Sequence, residues 1–274
     1  MRRAALPLQV VAALAISVLA IRAAGGSDSA MILQVAAGLV GALLALVVAR
    51  LARPPGPIVA PILLVLILIA EAYVLVTGVS MEGVRRWIAL GPIQLHAASL
   101  LVPLAVWAAA QRLDAATAVP LAAILAVLAA QPDAGAVLAL TLGVGAVALV
   151  DKSKRRWGLG VVAVGAVCAG WALSRPDPLP AVGHVELVVR KSLEASPPLG
   201  ALAAVALITL PTAMFWPRRT PAALALAAAW AGFVLANLIA NYPAPVIGAG
   251  AAQVLGWLLS IGLASGAARA KQSP

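Results

Sequence analysis

The side chains able to do chemistry in this 274-residue chain are few, and most gather in two polar stretches. One runs from about Val79 to Gln94 and holds Arg85, Arg86 and Trp87. The other runs from Ser174 to Ser196 and holds His184, Glu186, Arg190, Lys191 and Glu194. A carboxylate such as Glu186 can take the proton of a hydroxyl, a contribution worth roughly 10²–10⁴ in rate where the geometry is right. Arginine suits phosphate because its planar fork donates two hydrogen bonds at once. The two stretches therefore offer a base and a set of anion-holding cations. A structural reading stands beside the chemical one. Glu186 and Arg190 are spaced i, i+4, as are Arg190 and Glu194, and on a helix such a ladder stabilises by about 0.2–0.5 kcal/mol per pair. Arg85, Arg86 and Trp87 would also serve as interfacial anchors at the end of a span.

The remaining polar residues lie at the borders of apolar runs. Asp133 follows Gln131-Pro132 where a new run begins, so it can cap a helix and complement its dipole. Glu71 falls in or near the end of the third run; an acid at that depth is costly and a functional candidate by default, unless Tyr73 and Gly78 mark it as bordering the interface. His184 could orient Glu186 or meet a substrate. His96 reads as a polar residue at the start of a helix. Gly248, Gly250 and Gly256 suit close helix packing. Trp107, Trp171, Trp216, Trp230 and Trp257 fall mostly near the expected membrane interfaces. Cys168 is the one cysteine and sits in an apolar run, so no internal disulfide can form. No cluster reads as a metal site.

What must position these residues is a membrane bundle. Hydrophobic residues make up 64% of the chain and charged residues 10%, far from the roughly 25% charged of soluble domains. Ten apolar runs are bounded by proline, glycine and charge: 5–22, 30–49, 57–78, 95–111, 116–131, 135–150, 157–173, 197–215, 221–240 and 244–264. Pro61, Pro103 and Pro120 fall within them. They predict an all-α polytopic protein, a single transmembrane domain over 1–274, with an uncleaved first helix. The net charge of +10 is distributed in short clusters between runs rather than along a basic face, which argues against nucleic acid. With both termini cytoplasmic, 13 of the 19 basic residues fall inside, among them Arg50, Arg53, Arg112, Lys152, Lys154, Arg155, Arg156, Arg218, Arg219 and Lys271. The stretches 79–94 and 174–196 become the two long outer loops, where function is expected.

Three segments are similar to the SEDS family, the membrane glycosyltransferases of shape, elongation, division and sporulation that include FtsW, RodA and SpoVE. Gly83-Val84-Arg85-Arg86-Trp87-Ile88-Ala89-Leu90-Gly91-Pro92 resembles the family's Gly, two variable residues, Arg-Trp-Ile and Leu-Gly. Gln131-Pro132-Asp133-Ala134-Gly135 resembles its Gln-Pro-Asp-Leu-Gly. Tyr242 to Gly250, followed by Leu255-Gly256, resembles the proline-rich turn and glycine-rich start of its last helix. There are departures. The family's Gln-Pro-Ser-Glu is His96-Ala97-Ala98-Ser99 here, without the acid. Its His-Thr-Asp, whose Asp is the proposed catalytic residue, corresponds to His184-Val185-Glu186, and the loops are trimmed.

The resemblance implies a divergent SEDS-type peptidoglycan glycosyltransferase that polymerises lipid II at the outer face of the bacterial cytoplasmic (inner) membrane, in cell-wall synthesis, cell shape or division. Glu186 would be its base, and Arg86 with Arg190 or Lys191 would lie near the diphosphate. Trp87, Arg85, His184 and Asp133 would be further substrate contacts. The implied partners are lipid II, a single-span class B penicillin-binding protein and membrane lipids. A divalent cation could assist the diphosphate, although no ligand set in the sequence demands one. Two other readings remain: a SEDS-like scaffold or regulator without catalysis, favoured by the lost acid, by Val185 and by the short loops, and a lipid-linked substrate transporter.

Overall fold

The computed structural model describes residues 2–52, 58–175, 179–217 and 219–270, the side chains of 2–4 and 268–270 excepted. Arg53, Arg218 and Lys271 of the expected cytoplasmic charges, and 176–178 of the second outer loop, lie outside the described residues.

Each of the ten apolar runs corresponds to a helix. In chain order these are α1 (Arg2–Ala23), α2 (Asp28–Leu51), α3 (Val59–Thr77), α4 (Ala97–Gln111), α5 (Ala115–Ala130), α6 (Ala134–Val150), α7 (Arg155–Ser174), α9 (Pro197–Thr209), α10 (Pro221–Ile239) and α11 (Ala251–Ala270). A short amphipathic helix, α8 (Val188–Ala195), precedes α9, and 3-10 turns lead into α7 and continue α9 to Phe215. Among the described residues six helices are long and apolar enough to cross a membrane, some with their 3-10 extensions; α4, α5, α6 and α11 over Ala251–Ala267 are shorter. The chain is a multi-pass membrane protein. Pro61 sits in the first turn of α3, where its missing N–H has no intrahelical acceptor to lose, while Pro103 and Pro120 lie inside α4 and α5.

The centre of the bundle is built on small residues. α6 packs most extensively on α10, and α11 on α2 and α4. A Cβ on Gly232 of α10 would lie 2.6 Å from the Ala139 backbone of α6, and one on Gly256 of α11 would lie 1.9 Å from the Ser99 carbonyl of α4. Such approaches bring backbones together where apolar burial gives no drive between helices. Trp107, Trp230 and Trp257 are core residues rather than interface anchors: Trp230 Nε1 donates to Ser260 Oγ at 2.9 Å, and Trp257 Nε1 to the Leu210 carbonyl at 3.1 Å. Trp171 and Trp216 are exposed.

Two features depart from the sequence expectation. The first outer loop is a three-stranded antiparallel sheet of β1 (Val79–Met81), β2 (Val84–Leu90) and β3 (Ile93–His96). Met81 pairs with Val84 across Glu82 and Gly83, both at positive φ (48° and 83°), the geometry of a two-residue type I′ turn. Gly91, at φ 60°, turns β2 into β3. The second departure is the last span. Helix α11 begins at Ala251, not at 244, and 241–250 is a non-helical segment whose residues are largely buried. Non-helical backbone is tolerated at such depth where it is buried in protein or lines a cavity.

Candidate functional site

The sheet, the 179–187 stretch, the 241–250 segment and the first turn of α11 surround one cavity of about 650 Å³. Arg86, Trp87, Asp133 and Glu186 all line it, together with His96, Tyr242 and Gln253. The strand period explains the first pair: along β2, Val84 and Arg86 point inward while Arg85 points out. Arg86 is only 4% exposed. Its Nε donates to the Gln131 carbonyl at 2.9 Å and its Nη2 to the Pro132 carbonyl at 2.5 Å, and the guanidinium lies 5.6 Å from the centre of the Tyr242 ring. Tyr242 completes the same turn: its hydroxyl donates to the Pro132 carbonyl at 2.9 Å and accepts the Ala134 amide at 3.1 Å.

Asp133 is the N-cap of α6, its Oδ1 accepting the Ala136 amide at 3.0 Å. Its other oxygen lies 2.9 Å from His96 Nε2. His96 in turn caps α4, since its Nδ1 accepts the Ser99 amide at 3.3 Å. An accepting Nδ1 leaves the neutral ring's proton on Nε2, the atom that faces Asp133. Burial opposes ionisation of Asp133, but the His96 ring and the Arg86 guanidinium outweigh it and hold the carboxyl below the ordinary range. Trp87 meets His96 edge-on, centroids 6.1 Å apart. Behind this wall Glu71 is fully buried among the helices, and Gln131 Nε2 donates to its carbonyl at 2.9 Å and its carboxylate at 3.3 Å.

The opposite wall carries Glu186. It lies in a turn before α8 rather than on a helix, so the expected Glu186–Arg190 rung of the ladder is replaced by a different contact: Glu186 Oε2 accepts the Val182 amide at 2.8 Å. The second rung exists, Arg190 Nε lying 3.5 Å from Glu194, and Lys191 Nζ reaches the same carboxylate at 2.7 Å. Lys191 and then Arg190 hold Glu194 below the usual carboxylate range. These α8 residues do not line the cavity, nor do Arg85 and His184. Arg85 donates to the Val76 carbonyl, and His184 contributes its backbone carbonyl, which accepts the Ala249 amide at 2.9 Å.

That bond and its neighbour, Ala244 N to the Val185 carbonyl at 3.2 Å, lash the Glu186 turn to the segment before α11. Gly248 permits the approach, because a Cβ there would lie 2.3 Å from the Val185 carbonyl. Polar residues within helices, which sequence reasoning left aside, pin the segment. Gln34 of α2 donates to the Val246 carbonyl at 2.7 Å and accepts the Gly250 amide at 3.2 Å. Ser17 of α1 donates to the Ile247 carbonyl at 3.0 Å, and Asn237 of α10 joins the Glu186 and Tyr242 carbonyls at 3.2 and 2.6 Å. Their signal was available: a glutamine or asparagine inside an apolar run wants a polar partner. Among the described residues no three His, Cys, Asp or Glu side chains come together as a metal site.

No family model and no curated protein matches the sequence. The fold does match solved structures. Two crystal structures of the rod shape determining protein RodA of Thermus thermophilus, one of them a mutant, superpose with TM-scores of 0.72 at 21% identity. They cover 98% of this chain and 98% and 97% of theirs. A structure of a peptidoglycan synthase complex, described for its coordination of polymerization and crosslinking, superposes with a TM-score of 0.70, also at 21% identity and 98% coverage of both chains. The chain has a SEDS-like fold over 98% of its length.

Proposed function

We propose that this SEDS-fold protein acts in peptidoglycan synthesis as a glycosyltransferase, polymerising lipid II at the outer face of the bacterial cytoplasmic membrane. The observation that carries the reading is the single cavity that gathers Glu186, Arg86, Trp87 and Asp133 from stretches far apart in sequence. In the reaction, the acceptor hydroxyl gives its proton to the Glu186 carboxylate as its oxygen bonds the donor's anomeric carbon. The bond from that carbon to the diphosphate oxygen breaks, and the lipid diphosphate leaves with the electron pair. Arg86 supplies the cation of the cavity, and Trp87 a flat apolar face for a sugar ring. A class B penicillin-binding protein is the proposed partner that cross-links the product.

The test is polymerisation of purified lipid II by the reconstituted protein with its partner. Glu186→Gln should lose roughly 10²–10⁴ of the rate while folding normally. Equal polymer from both proteins would remove Glu186 from the mechanism.

A second reading, a non-catalytic scaffold of the same machinery, draws support from one observation: both charged groups already hold structure, Glu186 through the Val182 amide and Arg86 through two backbone carbonyls. No polymer from wild-type protein shown to bind its partner would establish it.

A further inference from the structure

The first turn of α11 opens on the cavity with its donors unused. Ala251, Ala252 and Gln253 all line the cavity and are at most 8% exposed. The amides of Gln253 and Val254 reach back to the Gly250 carbonyl at 3.2 and 3.4 Å, and the Gly250 amide goes to Gln34. The amides of Ala251 and Ala252 find no acceptor among the described residues. The first amides of a helix have no intrahelical acceptor, and here two adjacent ones belong to residues at most 5% exposed that line the cavity. The first turn contains no acidic residue to complement them. A second observation points the same way. Gln253 is more than nine-tenths buried, and its Oε1 has no hydrogen-bond partner. An amide left unheld can turn either end toward a ligand, so its NH₂ can serve as a further donor. Helix α11 is 20 residues long and adds its positive dipole end at the same place.

We propose that the α11 N-terminus, through the amides of Ala251 and Ala252 and the side chain of Gln253, is a built binding site for a phosphate-type oxyanion within the cavity. The inference rests on the glycosyltransferase reading for its natural ligand, which would be the diphosphate of the lipid-linked sugar. The two hydrogen bonds from 244 and 249 to the 184–185 carbonyls place this turn beside the Glu186 turn. The group that takes the proton and the donors that receive the departing charge are then held by one backbone pairing, with Arg86 on the facing wall. Open donors aimed at a charge that grows as the bond breaks would stabilise the leaving group more than the ground state.

The site can be tested without assuming the reaction. Wild-type protein in maltoside micelles would be titrated with farnesyl diphosphate, farnesol and phosphatidylglycerol, reading the shift in Tm and the apparent affinity. Ala251→Pro removes one donor at the first helical position, where proline is accepted, and Ala252→Asp places a fixed carboxylate on the amides. Farnesyl diphosphate should raise the wild-type Tm and farnesol should not. Ala251→Pro should weaken the diphosphate about tenfold, the scale of one charge-assisted hydrogen bond. Ala252→Asp should abolish binding while its unliganded Tm equals or exceeds that of wild type, which separates a lost site from a lost fold. Binding by both variants at wild-type affinity, or an equal shift with farnesol, would overturn the site. Phosphatidylglycerol binding as tightly as the diphosphate, with the same sensitivity to both variants, would support the site and identify a lipid headgroup as its source. A clear preference for the diphosphate would support it with the substrate as source. Normal polymerisation by Ala252→Asp would sink the inference and leave the glycosyltransferase reading standing. Specific diphosphate binding in a protein that never polymerises would do the reverse.

Discussion

The two walls of the cavity differ in how their polar groups are used. On the sheet side, Arg86 holds two carbonyls, Tyr242 bridges the turn they belong to, and Asp133 is shared between a helix cap and His96. On the α11 side, buried donors and a buried amide oxygen go without partners. A satisfied buried network fixes a conformation, whereas open buried groups await something from outside. Neither wall is fully satisfied, since Glu71 Oε1, Gln131 Oε1 and, its His96 contact apart, Asp133 Oδ2 on the sheet side also lack hydrogen-bond partners. The first wall differs in that Arg86 and Tyr242 tie its backbone together as a frame, whereas the second presents open backbone donors.

Substitutions on the two walls should separate these roles. Arg86→Ala should have the largest effect on stability, about 3 kcal/mol, because it strands the buried Gln131 carbonyl, takes one of two donors from the Pro132 carbonyl and removes the cation; a large drop in Tm checks it. An unchanged Tm would mean the sheet wall is not a frame. His96→Ala should cost about 2 kcal/mol by leaving one oxygen of the buried Asp133 carboxylate without its partner, and His96→Gln should recover part of the lost Tm. Gln253→Met should run the other way: replacing an unheld buried amide with an apolar group of similar size should keep Tm within a few degrees or raise it, while affinity for a diphosphate lipid falls. A steep loss of Tm in that variant would show Gln253 to be framework. Lys191→Ala should do least. Its partner Glu194 is about half exposed, where solvent screens the pair, so Tm should be unchanged and polymerisation by this variant should match wild type.

Apolar runs gave the helices away because hydropathy and length respond to the same cause, the thickness of the hydrocarbon layer. Arg86, Trp87 and Asp133, which line the cavity, were picked out by the motifs that carry the resemblance, and Glu186 by its place before an apolar helix. The sheet was missed although marks of it were present: Val84, Trp87 and Ile88 favour strands, and Glu82-Gly83 and Gly91-Pro92 are turn pairs. The stretch was read as an outer loop because its two adjacent arginines break the alternation that marks a strand. The late start of α11 was missed for another reason. Pro243, Pro245, Gly248 and Gly250 oppose a helix, but Val246 and Ile247 read as apolar span, and hydropathy does not count backbone donors. The His96–Asp133 contact joins residues 37 positions apart in sequence, a distance no local pattern reports.

Gln34 has a wider consequence. Helix α2 turns most of its surface toward the bilayer, with Ile32, Leu39 and Leu43 all well exposed, yet its one buried glutamine holds both the Val246 carbonyl and the Gly250 amide. The helix is thus a lever with one face in lipid and the other on the backbone that orients the α11 donors. Sliding α2 by half an ångström would stretch hydrogen bonds of 2.7 and 3.2 Å toward the range where they weaken. Bilayer thickness, or a neighbour gripping that apolar face, would then tune the cavity without entering it.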